Sequence, residues 1–172
     1  MLKILGVILV ITASSAIGFY FSSLAKARVE DLKELRKCIY ILKGDIRYSA
    51  TPLPEAIQMV ALKIESNLSP FFQKIADELN KLEGRTLSSI WTSSVNTQLD
   101  RSCLNKKDKM YLIQFGESMG YLDKDTQINT IDLYISQLDT EIDEMITSVK
   151  EKTRLYNLLG IMGGIFMTII II

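Results

Sequence analysis

The chain has no histidine. That excludes Ser-His-Asp and Cys-His catalysis, imidazole-bound zinc and histidine-ligated haem. Glycine and proline are scarce, with nine and three in 172 residues. Together they make about 7% of the chain against a usual 12% or so, which favours long helices over a many-stranded sheet. Two cysteines are too few for a disulfide framework. Net charge is also missing: 20 basic and 20 acidic side chains cancel, leaving no cationic footprint for nucleic acid. What is plentiful is apolar surface, 48% of residues. With 23% charge the chain is not of disordered composition. The length bounds it to one compact domain, or one domain plus anchors.

The charges are unevenly placed. None falls between Lys3 and Lys26, so residues 4–25 form a 22-residue run, about 33 Å long as a helix. Residues 155–172 form a second run of 18, about 27 Å. Both suit a hydrocarbon core of about 30 Å. Ser14, Ser15 and Ala16 loosely imitate a cleavage site. However, Ile17, Gly18, Phe19, Tyr20 and Phe21 carry the apolar stretch past the length of a signal-peptide core, so a retained anchor is expected. Lys26, Arg28, Lys33, Arg36 and Lys37 follow the first run, and Lys150, Lys152 and Arg154 precede the second. Positive-inside logic then predicts a transmembrane helix over 1–25, a cytoplasmic domain over 26–154 and a transmembrane helix over 155–172.

Small residues recur every four positions on each run: Ser14, Gly18 and Ser22 on the first, Gly160, Gly164 and Thr168 on the second. In an antiparallel hairpin Ser22 meets Gly160, Gly18 meets Gly164 and Ser14 meets Thr168, permitting close backbone approach in lipid. The same faces could equally pair between copies, as a homo-oligomer.

The middle reads as an antiparallel, all-α bundle of about six helices. Leu32, Leu35, Ile39, Leu42 and Ile46 step at helical period. Gly44 sits inside that stretch at a cost of about 1 kcal/mol, and a weak spot is expected there. Thr51 is the expected N-cap of a second helix, with Pro52 in its first turn and Leu53, Ile57, Val60 and Ile64 inward. Ser69 and Pro70 repeat that chemistry for a third, carried by Phe72, Ile75, Leu79 and Leu82 to a stop at Gly84. Leu87, Ile90, Trp91, Val95 and Leu99 mark a fourth. Asn105 with Asp108 caps a fifth, its inner side Leu112, Phe115 and Met119, ended by Gly120. Asp123 caps a sixth. There Ile128, Ile131, Ile135, Leu138, Ile142, Met145 and Val149 alternate spacings of three and four. A free coiled coil competes for those heptads, but packing within a domain that has other apolar seams is favoured.

No motif for catalysis stands out, and neither an enzyme activity nor a cofactor or metal is expected. No glycine cluster in the middle domain resembles a phosphate loop. Asp132, Asp139, Glu141, Asp143 and Glu144 crowd together, but the heptad face leaves them mostly outward. Cys38 beside the first seam and Cys103 in a linker lack a histidine to activate them.

Four blocks carry a family resemblance: Asp45-Ile46-Arg47-Tyr48 leading into Thr51-Pro52-Leu53-Pro54-Glu55-Ala56-Ile57; Phe115-Gly116-Glu117-Ser118-Met119-Gly120; Asp123 with Gln127; and the stretch 154–164 entering the second run. With its two-anchor layout the whole chain resembles the stage III sporulation protein AB family of endospore-forming bacteria. More distantly it is similar to the F domain of type II secretion and type IV pilus platform proteins. Gly44 departs from the charged or polar residue expected there. The resemblance implies a non-enzymatic component of the channel complex between mother cell and forespore, in the outer forespore membrane. Implied partners are membrane lipid, a stage III sporulation protein AA-like ATPase in the cytoplasm and other membrane proteins of the complex; nucleic acid is not among them. The candidate contact or turn residues are Thr51, Pro52, Leu53, Pro54, Glu55, Gly116, Gly120, Asp123 and Gln127. An inner-membrane secretion or pilus platform, and a membrane-anchored sensor with its domain outside, are the alternatives.

Overall fold

The computed structural model describes residues 2–49, 51–81, 84–120 and 123–171, with side chains described at 20, 23–49, 51–81, 84–120 and 123–151. It is all-helical, without a strand among the described residues: α1 (Leu2–Tyr48), α2 (Leu53–Lys63), α3 (Ser69–Asn80), α4 (Leu87–Gln98), α5 (Lys106–Ser118) and α6 (Lys124–Ile171). The chain divides into two units. One comprises Met1–Ala27 with Asp143–Ile172, the other Arg28–Ile142.

In the first unit the described side chains are few; the Ser23 hydroxyl donates to the Tyr20 carbonyl at 2.8 Å. Ser14, Gly18, Ser22, Gly160, Gly164 and Thr168 lie on the helical backbone of α1 and α6 but outside the residues whose side chains are described. Among the described residues, no helix is long and apolar enough to cross a membrane.

The unit Arg28–Ile142 is a helical bundle. All five seam residues of α1, Leu32, Leu35, Ile39, Leu42 and Ile46, are buried. The helix runs unbroken through Gly44, so the expected weak spot does not interrupt it. Lys43 pairs with Asp132 and Arg36 with Asp139. Seven residues back on α1 thus match seven forward on α6, which makes the two antiparallel. On α6 the heptad residues Ile131, Ile135, Leu138 and Ile142 are buried, Ile128 partly so. Tyr134, outside the heptad pattern, is buried too. Its ring stacks on Phe115 with centroids 4.6 Å apart.

Two helix starts differ from expectation. Thr51 does not cap α2: Pro52 is the N-cap, and its carbonyl accepts from the Ala56 N–H at 2.9 Å. Were Thr51 the cap, its hydroxyl would face Pro54 at the third position, which has no N–H to give. Ser69 is likewise not a cap. Helix α3 counts from Ser69 with Leu68 as N-cap, and the Ser69 hydroxyl turns back to donate to the Ala61 carbonyl of α2 at 3.2 Å. Leu82 lies outside the described residues. Gly84, at φ +74°, is in the left-handed region that glycine adopts without strain.

The core is centred on Trp91. Its indole meets Phe71 edge-on at 5.2 Å, Phe72 at 6.3 Å and Phe115 at 5.7 Å, tying α3, α4 and α5 together. Its Nε1–H donates to the Leu112 carbonyl at 2.8 Å. The ring fits because residue 116 has no side chain: a Cβ there would lie 2.1 Å from Trp91 Cδ1. Gly116 is thus a buried packing residue inside α5, not the turn residue expected. At Gly120, just past the same helix, the nearest neighbour of an added Cβ would be Leu87 at 3.8 Å.

Gly116→Ala must displace the indole and break its bond to Leu112, so it is expected to cost about 2–3 kcal/mol. Gly120→Ala should stay within about 0.5 kcal/mol of the parent. Urea denaturation followed by tryptophan fluorescence compares the two, and equal midpoints would refute this account of Gly116.

Candidate functional site

The antiparallel register of α1 and α6 brings the α1–α2 turn and the α5–α6 turn to one end of the bundle. Thr51, Pro52, Leu53, Pro54 and Glu55 sit there, with Pro52 and Glu55 exposed and the other three partly buried. Gly120 is exposed at the same end, while Gly116 is buried one turn inside α5. Asp123 caps α6 as its position predicted. Its carboxylate accepts from the Thr126 hydroxyl at 2.7 Å and from the Thr126 and Asp125 N–H groups at 3.1 Å. Those bonds, the hydroxyl's first, hold it below the usual carboxylate range. The Gln127 amide reaches the Met119 carbonyl at 3.4 Å, bridging the turn. Asp123, Thr126 and Gln127 thus serve the turn itself, and the exposed residues described at this end form a mixed polar surface.

A second cluster lies at the other end. Asn105 and Asp108 form the expected capping box at the start of α5. Asp108, with its side chain wholly buried, also takes a two-pronged contact from Arg28 of α1: Nε to Oδ2 at 2.8 Å and a terminal nitrogen to Oδ1 at 2.7 Å. Donating to the Asp108 carboxylate holds the Arg28 guanidinium even more firmly in its charged form. Glu141 of α6 joins at 3.5 Å and also pairs with Lys107. The expectation that the α6 carboxylates face outward fails at Glu141, which is mostly buried in this network. Nearby, the Tyr134 hydroxyl is buried without a partner among the described residues. Desolvation drives its ionisation well above the ordinary range. Sequence reading found Asp108 only as a cap, because Arg28 lies 80 positions away and no local pattern links them.

A third cluster surrounds Glu78 near the end of α3. Lys81 contacts it at 2.7 Å, Lys74 at 3.0 Å and Arg85 at 2.9 Å. Hydrogen bonds from Lys81 and then Lys74 pull its carboxyl down to about 2. A shallow groove of about 700 Å³, lined by Asp31, Ile64, Glu65, Asn67 and Pro70 among others, offers carboxylates and hydroxyls but no cation. Cys38 is fully buried and burial pushes its thiol up to about 12, which makes it a poor nucleophile.

Comparison with known proteins adds to this geometry. The model of the family described as stage III sporulation protein AB matches residues 3–172. The chain belongs to that family. It is 26% identical to stage III sporulation protein AB of Bacillus subtilis (strain 168), over 99% of both chains. A solved structure of a stage III sporulation protein AB is similar at 27% identity with a TM-score of 0.65. The similarity covers 72% of this chain and 97% of that one. Neither relative's name is that of an enzyme.

Arg28→Gln leaves the buried Asp108 carboxylate without its cation and should cost about 3 kcal/mol in urea unfolding. A loss under about 1 kcal/mol would mean the pair is dispensable. Glu78 is held below its ordinary value, so the unfolded chain takes up the proton first. Its contribution is complete above about pH 5 and is lost as pH falls toward about 2. Glu78→Gln should therefore flatten the acid limb of stability against pH over that window, and an unchanged limb would remove Glu78 from its causes.

Proposed function

We propose that this chain is a non-enzymatic membrane component of the channel complex between mother cell and forespore. In this reading its helical unit stands in the mother-cell cytoplasm and docks the cognate stage III sporulation protein AA-like ATPase. The observation that carries this reading is the family match over 3–172, which takes in both charge-free runs as well as the bundle. The runs, with basic residues massed on their inner flanks, support two spans with the bundle inside. The end bearing Pro52, Glu55 and Gly120 is the surface proposed for the ATPase. It lies opposite the end at which α1 and α6 leave the bundle, and its polar, turn-rich character suits a transient contact.

Topology is tested in intact cells with a membrane-impermeant thiol reagent. Variants lacking Cys103 would carry a single exposed cysteine at Ser93 or appended after Ile172. Protection at 93 with labelling at the terminus is expected; the reverse pattern would favour an external sensor. Docking is tested by pull-down of the purified ATPase. Glu55→Arg with Glu117→Arg, both at exposed positions, should weaken capture about tenfold. Undiminished capture would move the docking surface elsewhere.

A further inference from the structure

Gly44 is unexplained by the fold that contains it. It lies inside α1, where glycine is unfavourable, yet a Cβ added there would meet nothing within 4 Å. Its backbone is not in the left-handed region. Neither packing within the chain nor a turn asks for glycine at this position. The position faces away from the core. Tyr40 and Tyr48 stand four residues to either side, about 6 Å along the axis, and both are exposed, at 44% and 83%. Arg36 lies over the Tyr40 ring and Arg47 over the Tyr48 ring, at 5.0 and 5.7 Å. The outer face of α1 thus has a notch at Gly44, between two exposed tyrosines.

The outer face of α6 presents the converse shape. Leu133 is 73% exposed, the highest value for a large apolar residue among the described residues of that helix, and it stands between the small or polar Asn129 and Ser136, both exposed. The Lys43–Asp132 pair, adjacent in sequence to Gly44 and Leu133, puts notch and projection within about 3 Å of one height along the bundle. Charge agrees with shape. Arg47 beside the notch and Asp125 on the first turn of α6 are both exposed and make no ion pair with another side chain among the described residues.

We infer that the partner of this face is a second copy of the chain. With two copies side by side and their bundles parallel, Leu133 of one enters the Gly44 notch of the next after an axial shift of only about 3 Å. The α1 and α6 faces then meet antiparallel, and Arg47 approaches Asp125 across the contact. The two patches differ, so the interface is heterologous and repeats from copy to copy as a ring or a row. This contact stands independently of the ATPase reading.

The test uses the full chain in detergent with Cys103→Ser as background. Differently tagged copies carry Gly44→Cys or Leu133→Cys and are oxidised alone and mixed. A disulfide dimer bearing both tags should form in the mixture and in neither sample alone. No dimer in the mixture, or dimers of either variant with itself, would overturn the contact. Gly44→Leu supplies a second readout. Because the site is open, the melting temperature should not fall, whereas self-association by sedimentation should weaken at least about tenfold. An unchanged sedimentation profile would also overturn the proposal.

Discussion

The close approach of the Trp91 ring to the backbone of α5 is the constraint on which the bundle depends. An indole can lie that near a helix only where a residue has no Cβ, and Gly116 supplies the place. Once there, the ring is fixed on its faces and at its polar edge. Phe71, Phe72 and Phe115 pack around it, and the Leu112 carbonyl receives its only N–H. Phe115 passes the contact on to Tyr134 of α6. A run of aromatic rings thereby crosses from α3 to α6, so that four helices share one packing arrangement in place of several independent ones. Shared packing of this kind makes unfolding cooperative.

The charged groups do a different task. Arg28 and Asp108 are joined at two points where α1 enters the bundle, and Glu141 brings α6 to the same place. A desolvated pair of this kind adds little net stability over an apolar pair of the same shape, but losing either partner strands a buried charge at high cost. The α1–α6 pairs higher up, Arg36 with Asp139 and Lys43 with Asp132, are more exposed and individually weak. The two share one antiparallel register, seven residues apart on each helix.

Much of this was legible in the sequence because it is periodic or local. The seams of α1 and α6 appear as steps of three and four. The caps at Asn105 and Asp123 appear as an acceptor placed just before an apolar pattern. What escaped was decided by contact between distant segments. Gly116 looked like a turn glycine because nothing nearby announces a tryptophan 25 positions upstream. Tyr134 fell off the heptad because its burial comes from Phe115, not from its own helix. Thr51 and Ser69 misled for a third reason: both are good cap residues, but Pro54 removes the donor one would have used and Ala61 claims the hydroxyl of the other. Of the candidate contact residues, Pro52, Glu55, Gly120, Asp123 and Gln127 share one end of the bundle as their sequence positions suggest.

The two cysteines have very different surroundings, and that makes the chain its own reporter of breathing motions. Cys103 is partly exposed in the α4–α5 connection, whereas Cys38 is sealed on the inner side of α1 with its thiol pushed up to about 12. At neutral pH the Cys38 thiol stays protonated while the bundle is closed. Modification of Cys38 in the unaltered chain therefore has to await an opening that frees α1. Its rate gives the free energy of that opening directly, and the prompt reaction of Cys103 provides the internal reference.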